Sequence, residues 1–322
     1  IIANPAGIQV NGGGFINASR ATLTTGTPKF NEAGSLESFL VRGGTVSVEG
    51  AGLDASKTDY AAILARAIQV NAGIWASELK VVAGANEISA DAANASVTPV
   101  ASSGAAPAFA LDVAQLGGMY AGKITLIGTE AGVGVRNAGD IGAGAGGLVV
   151  TADGRLENAG TLRGHRVQAR SSSANVQNSG TIEARGIELV ASAADVVNQG
   201  AIRLTGANSL TVQAPSLSNT QGGYIGAEPV ALATPTDAGD SAQGGGSAGG
   251  SSAGGGNGTP APGAPSDAGS GGAEPGAGTP GTGGPAATTQ PAAEPLLPGR
   301  ITAAGAGRND GGRIYAGDVK LQ

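Results

Sequence analysis

Val135-Arg-Asn137-Ala-Gly139-Asp-Ile141, Leu156-Glu-Asn158-Ala-Gly160-Thr-Leu162, Val176-Gln-Asn178-Ser-Gly180-Thr-Ile182 and Val196-Val-Asn198-Gln-Gly200-Ala-Ile202 are four copies of one frame. A looser fifth copy reads Leu217-Ser-Asn219-Thr-Gln221. Successive Asn residues stand 21, 20, 20 and 21 positions apart. Within each copy an apolar residue, the Asn, the Gly and a second apolar residue fall at alternate positions, the period of a strand with one buried face. A second short strand-like run follows each copy: Leu148 to Thr151, His165 to Ala169, Ile187 to Ala191 and Leu210 to Ala214. The unit therefore reads strand, turn, strand, turn.

One such unit has too little apolar surface to bury alone, whereas copies stacked at roughly 4.8 Å align Val, Leu and Ile into a continuous core. The expected fold is all-β, a right-handed parallel β-helix with coils of about 20 residues. Asn137, Asn158, Asn178, Asn198 and Asn219 are expected to point inward as one ladder. Each amide then satisfies a neighbour that, left buried and unpaired, costs about 1–3 kcal/mol. The Gly two places after each Asn is expected to permit a tight bend at φ > 0. Leucine-rich repeats share this period and an Asn per unit, but they need a Leu framework and a helical half. Here the slots mix Val, Ile and Leu.

Composition agrees with a narrow coil. The 322 residues include 59 Gly, 3% aromatic residues, one His and no Cys, which excludes disulfides and thiolate metal sites. With a net charge of −6, a nucleic-acid footprint is not expected. Five acids and no Lys or Arg lie in 233–298, so the rest of the chain carries only −1. No apolar run is long enough to span a bilayer, and no signal peptide is present. The chain opens on Ile1 inside an apparent strand, so a targeting sequence and the first coils are expected upstream.

Residues 1 to about 130 are less regular but contain short β-type runs such as Thr45 to Glu49, Leu79 to Val82 and Lys123 to Ile127. The stretch from Asp59 to Ala67 suits a turn or two of helix, or equally a strand with Ile63, Ala65, Ala67 and Gln69 on one face. Residues 92–108 read as a surface loop. Residues 233–298, almost purely Gly, Ala, Pro and Ser, have too few apolar side chains to offset their ordering entropy and are expected to be disordered. Because Asn309-Asp-Gly-Gly-Arg-Ile-Tyr-Ala316 repeats the pattern beginning at Asn219, the segment reads as an insertion looped out between two coils; an interdomain linker is the alternative.

The opening Asn4-Pro-Ala-Gly-Ile8, followed by Val10-Asn-Gly-Gly-Gly-Phe-Ile-Asn-Ala-Ser19, closely resembles the secretion domain of filamentous haemagglutinin-like exoproteins of two-partner secretion. So do Glu49-Gly-Ala-Gly-Leu-Asp54, Ile63-Leu-Ala-Arg-Ala67, Val70-Asn-Ala-Gly-Ile-Trp75, Ala110-Leu-Asp-Val113, Leu116-Gly-Gly-Met-Tyr-Ala-Gly-Lys-Ile124 and Gly128-Thr-Glu-Ala-Gly-Val-Gly-Val-Arg-Asn137. The later repeats resemble the haemagglutinin repeats of the family's shaft. The resemblance implies the C-terminal part of a secretion domain over 1–137, β-helix repeats over 138–232, the insertion over 233–298 and a resumed repeat over 299–322. It also implies export through an outer-membrane pore partner and a place outside, or on the surface of, a Gram-negative cell. Asn4, Pro5, Gly7 and Ile8 occupy the family's export motif, while Ala6 departs from its second Asn.

Chemistry-bearing motifs are sparse. Gly142-Ala-Gly144-Ala-Gly-Gly147 satisfies G-x-G-x-x-G, but no helix or downstream acid completes a dinucleotide fingerprint. His165 stands alone, and an edge or exposed His is its default reading. Asp153, Glu157, Glu183, Glu188 and Asp195 fall at different places in their coils, without the paired acids that glycoside cleavage needs. Arg163 and Arg203 share a slot, best read as part of a solvated outer row rather than a ligand stripe. Three glycosylation patterns, at Asn17, Asn94 and Asn257, are near chance, and no Arg-Gly-Asp occurs. No catalytic, cofactor or metal site is expected. The leading reading is a structural and adhesive segment that attaches to a receptor or glycan on a host or neighbouring cell. The first alternative is the shaft of a contact-dependent growth inhibition toxin, and the second a carbohydrate-active β-helix enzyme.

Overall fold

The computed structural model describes residues 1–90, 96–205, 209–220, 222–227, 301–315 and 319–321. The insertion expected at 233–298 lies outside the described residues, as do residues 92–95 of the expected loop. The described chain is a parallel β-solenoid of about 10 turns with about 22 residues per coil, and no helix occurs among the described residues. Leucine-rich repeats are thereby excluded, since Thr181–Ala191 is strand where a helical half would lie.

Register follows the repeat. Val135, Leu156, Val176, Val196 and Leu217 pair in sequence from coil to coil, and two places on Asn137, Asn158, Asn178, Asn198, Asn219 and Asn309 do the same. Ile141, Leu162, Ile182, Ile202, Ile225 and Ile314 form a third column. The strands Leu210–Asn219 and Ile301–Asn309 pair directly, and Tyr224–Gly226 pairs with Arg313–Tyr315, so the described strands before and after the expected insertion belong to adjacent coils. The coil differs in two respects from strand, turn, strand, turn. Each copy is split at its Asn, which closes a three-residue strand such as Val176–Asn178, and the next strand, Thr181–Ala191, runs through the turn expected between Ile182 and Ile187 as one element. Its inward residues Ile182, Ala184, Ile187, Leu189 and Ala191 are buried, each large one contributing about 1.5–3 kcal/mol.

The Gly two places after each Asn does not take positive φ. A Cβ at Gly160 would instead collide with the carbonyl oxygen of Gly139, and at Gly180 with that of Gly160. The requirement is steric. Successive coils approach so closely at this corner that only a hydrogen fits.

The irregular first part has a topological cause. Leu23 pairs with Ile63, 40 residues on, and Leu79 with Ile124, 45 residues on, about twice a coil. The surplus forms a separate four-stranded antiparallel sheet of Thr27–Phe30, Leu36–Val41, Asn86–Ser89 and Val97–Pro99. Val97–Pro99 thus corrects the reading of 92–108 as loop throughout. This sheet packs Phe39, Val41 and Ile88 against Ala62, Leu64 and Val82 on the outside of the solenoid, while Ile63 and Ala65 fill its interior. Tyr60–Ala65 is therefore a strand buried on both sides, and the chain turns at Arg66, after which Ile68 and Val70 face inward. Ala67 and Gln69 do not share a face with Ile63.

Candidate functional site

The stretch Asn4 to Ile8 is a hydrogen-bonded turn at the surface. The Asn4 N–H donates to the Thr24 carbonyl at 2.9 Å, holding Ile2–Ala3 along Arg20–Thr24. The Gly7 N–H returns to the Asn4 carbonyl at 3.0 Å, and Asn4 Oδ1 accepts the Ala6 N–H at 3.1 Å. Asn at the first position of such a turn supplies this side-chain bond, and Pro at the second presets the backbone. Gly7 has φ +132°, and a Cβ there would sit 3.0 Å from the Thr45 carbonyl oxygen. Ile8 then opens Ile8–Gly14 opposite Val46. Asn4, Pro5 and Ala6 are exposed, whereas Gly7 and Ile8 are half-buried. The four candidate export residues are thus one local structure. Ala6 contributes only its N–H to it.

The five ladder asparagines are at most 3% exposed. Each amide donates to the next Oδ1: Asn137 to Asn158 at 2.8 Å, Asn158 to Asn178 at 2.7 Å, Asn178 to Asn198 at 2.8 Å and Asn198 to Asn219 at 2.8 Å. Asn219 continues to Asn309 at 2.9 Å. The same NH2 groups reach backbone carbonyls, Asn178 meeting Gly180 at 3.2 Å and Ala201 at 3.3 Å. This arrangement stores no reactive group; it fixes register.

Elsewhere the strand Asp140–Ala152 runs through the glycine motif at 142–147 without a loop that could cradle phosphate. His165 is exposed on Thr161–Ser171. Among the described residues, no cluster of three His, Cys, Asp or Glu could hold a metal ion. Arg163, Glu183 and Arg203 do share one outward column, and Arg163 reaches Asp140 at 2.9 Å. Glu157 meets Arg155 at 2.6 Å, and Glu188 meets Arg170 at 2.6 Å. Sequence reading missed the upstream members of that column: Asp54 pairs with Trp75, Trp75 with Tyr120, Tyr120 with Gly142 and Gly142 with Arg163. The looped-out hairpin hides the Trp75–Tyr120 neighbourhood, since 45 residues separate two positions one coil apart.

A family model described as "TPS secretion domain" matches residues 1–158. Residues 1–158 thus carry a secretion domain of the two-partner secretion type. The chain is 54% identical over 165 residues to the "tRNA nuclease CdiA-2" of Burkholderia pseudomallei (strain 1026b) and 54% identical over 163 residues to the "Toxin CdiA" of Yersinia pestis. It is 44% identical over 162 residues to the "16S rRNA endonuclease CdiA" of Enterobacter cloacae subsp. cloacae. Each match covers about half of this chain and 5% of the relative. A crystal structure of a filamentous hemagglutinin secretion domain aligns with a TM-score of 0.43 and 30% identity, over 61% of this chain and 65% of that one. TPS exoproteins are secreted or displayed on the surface of Gram-negative bacteria, and that is the compartment of this chain.

Proposed function

We propose that this chain is the export-directing region and first shaft coils of a contact-dependent inhibition exoprotein. The observation that supports this best is the 54% identity to proteins named as a tRNA nuclease CdiA-2 and a toxin CdiA. In this reading the turn formed by Asn4, Pro5, Gly7 and Ile8 is presented to an outer-membrane pore partner. The Asn137–Asn219 ladder holds the emerging coils in register, and residues 1–137, 138–232 and 299–322 serve as secretion-domain, shaft and resumed shaft segments around the insertion at 233–298. The ladder contributes no catalysis, and nuclease chemistry belongs to a toxin region elsewhere in the exoprotein. Adhesion, the leading expectation from sequence, becomes the secondary reading, because the matched relatives are named for toxicity and not for attachment.

The test is a contact co-culture. Cells producing the whole exoprotein with its pore partner should reduce the viability of touching target cells, and cells lacking the pore should not. Attachment to targets without loss of viability would favour the adhesin instead.

A further inference from the structure

We propose that the outward face around Trp75, Tyr120 and Arg163 is a binding cleft for a neutral, pyranose-containing glycan. Two aromatic rings stack across adjacent coils. Trp75 and Tyr120 occupy equivalent positions in adjacent coils, with centroids 6.2 Å apart and planes 21° from parallel. Both rings lie back over glycines: a Cβ on Gly73 would run into the indole, and one on Gly118 would come within 2.8 Å of the Tyr120 hydroxyl. Glycine at both places lets the rings lie back over their own strands, where the stacked pair forms a shelf spanning two coils. Trp75 is 42% exposed, a large fraction for an indole in a chain with 3% aromatic residues.

Beyond the shelf the column drops to Gly142 and rises again at Arg163. The result is a cleft of about 440 Å³ lined by Tyr120, Gly142, Gly144, Arg163, Glu183 and Thr205. That volume lies in the roughly 300–1,000 Å³ range of small-ligand sites. The missing side chain at Gly142 makes the cleft, since even a Cβ there would stand 3.1 Å from Arg163 Nε and 3.5 Å from the Tyr120 ring. Asp140 Oδ2 holds the Arg163 guanidinium at 2.9 Å and accepts the Tyr120 hydroxyl at 3.4 Å, so wall and shelf are braced together.

The chemistry selects the ligand. An aromatic face carries partial negative charge and attracts the C–H groups on the flat side of a pyranose ring. A guanidinium and a carboxylate placed beside that face are donor and acceptor for adjacent sugar hydroxyls. Counting Asp140, the acids Asp54, Asp140 and Glu183 offset Arg163 and Arg203 at this face, so no positive excess attracts a polyanion. A neutral glycan fits this balance, whereas a nucleic acid or a sulfated polymer does not.

Trp75 is the only Trp of the chain and reports on its own site. The 322-residue chain is titrated with gluco-, manno- and galacto-oligosaccharides of about three to six hexoses, followed by Trp75 emission and calorimetry, with heparin as the acidic comparison. At least one neutral series should saturate and shift the emission. Tyr120→Ala, which removes the shelf, and Gly142→Leu, which fills the cleft, should each weaken binding at least about tenfold, a loss of about 1.4 kcal/mol. Circular dichroism and Tm identify any variant that misfolds; Arg163→Ala, on a side chain 53% exposed, then takes its place with the same expectation. Absence of saturation by any neutral series, unchanged affinity in folded variants, or equal binding of heparin would overturn the assignment.

Discussion

At the scale of single residues, the ladder and its adjoining glycines decide whether coils stack in one register. Asn178 receives a bond from Asn158 and donates to Asn198 and to the carbonyls of Gly180 and Ala201. Asn178→Leu removes those bonds and leaves neighbouring amides short of partners inside the core, so thermal or denaturant unfolding should show a loss of about 2–4 kcal/mol. Asn219→Leu should cost less, because Asn219 reaches Gly223 only at 3.4 Å and has Asn309 as its other acceptor. Equal losses would mean that the ladder acts uniformly along the rod. Tyr60 gives a pH-dependent counterpart: burial first, then the charge of Glu78, pushes its phenol up to about 12. The unfolded chain ionises near its ordinary pKa of about 10, while the native state keeps its proton until about 12. Across that window the unfolded state binds fewer protons, so stability is intact below pH 10 and falls as pH rises through 12. Discounted for partial solvent access, the loss is about 1–2 kcal/mol. Tyr60→Phe should flatten an unfolding-versus-pH profile over this range; an unchanged slope would place the alkaline sensitivity elsewhere.

At the scale of elements, the repeat was legible from Asn137 onward because each coil spends the same 20 or 21 residues, so alternation and period coincide. The motif at Asn4 to Ile8 was legible only through the family resemblance; its opening reads as strand, whereas the strand ends at Ala3 and the turn begins at Asn4. Three features were not legible. The corner glycines read as φ > 0 positions because a sequence does not reveal how closely neighbouring coils approach. Tyr60–Ala65 lost its alternation because a second sheet covers its outer face, and an apolar run without period does not separate strand from helix. The Trp75–Tyr120 shelf was hidden by the excursion that supplies that sheet. Where the excursion rejoins the solenoid, Arg66 is 5% exposed and its guanidinium bonds both oxygens of Glu130, at 2.7 and 3.1 Å, together with the Ser103 carbonyl. Removing one partner of a buried pair leaves the other charge uncompensated, which costs about 3–5 kcal/mol. Arg66→Met should therefore lower Tm markedly, and adding Glu130→Leu should recover much of the loss. Failure of the second change to recover stability would assign Arg66 to the Ser103 and Gly104 carbonyls rather than to its carboxylate.

For the whole molecule, the solenoid continues across a long interruption. Asn219 and Asn309 are 90 positions apart in sequence yet bonded at 2.9 Å, and Tyr224, Ile225 and Gly226 pair with Arg313, Ile314 and Tyr315. A repeat that nucleates and propagates through nearest-neighbour coils needs the incoming strand in register, not the chain that carries it there. Loop-closure entropy grows only with the logarithm of length, so a long excursion is tolerated and a short one gains little. Deleting 233–298 removes 66 residues and shortens the Asn219–Asn309 interval from 90 to 24, close to the 20 or 21 of the regular coils. With a Gly-Ser bridge of a few residues across the join, we expect β-type circular dichroism and the thermal midpoint to stay near those of the full chain. Limited proteolysis should leave the fragment from Gly134 to Tyr224 intact in both forms. A cooperative loss of structure on deletion would show that the excised segment packs on the coils, and that the register between Asn219 and Asn309 depends on more than the two strands that meet there.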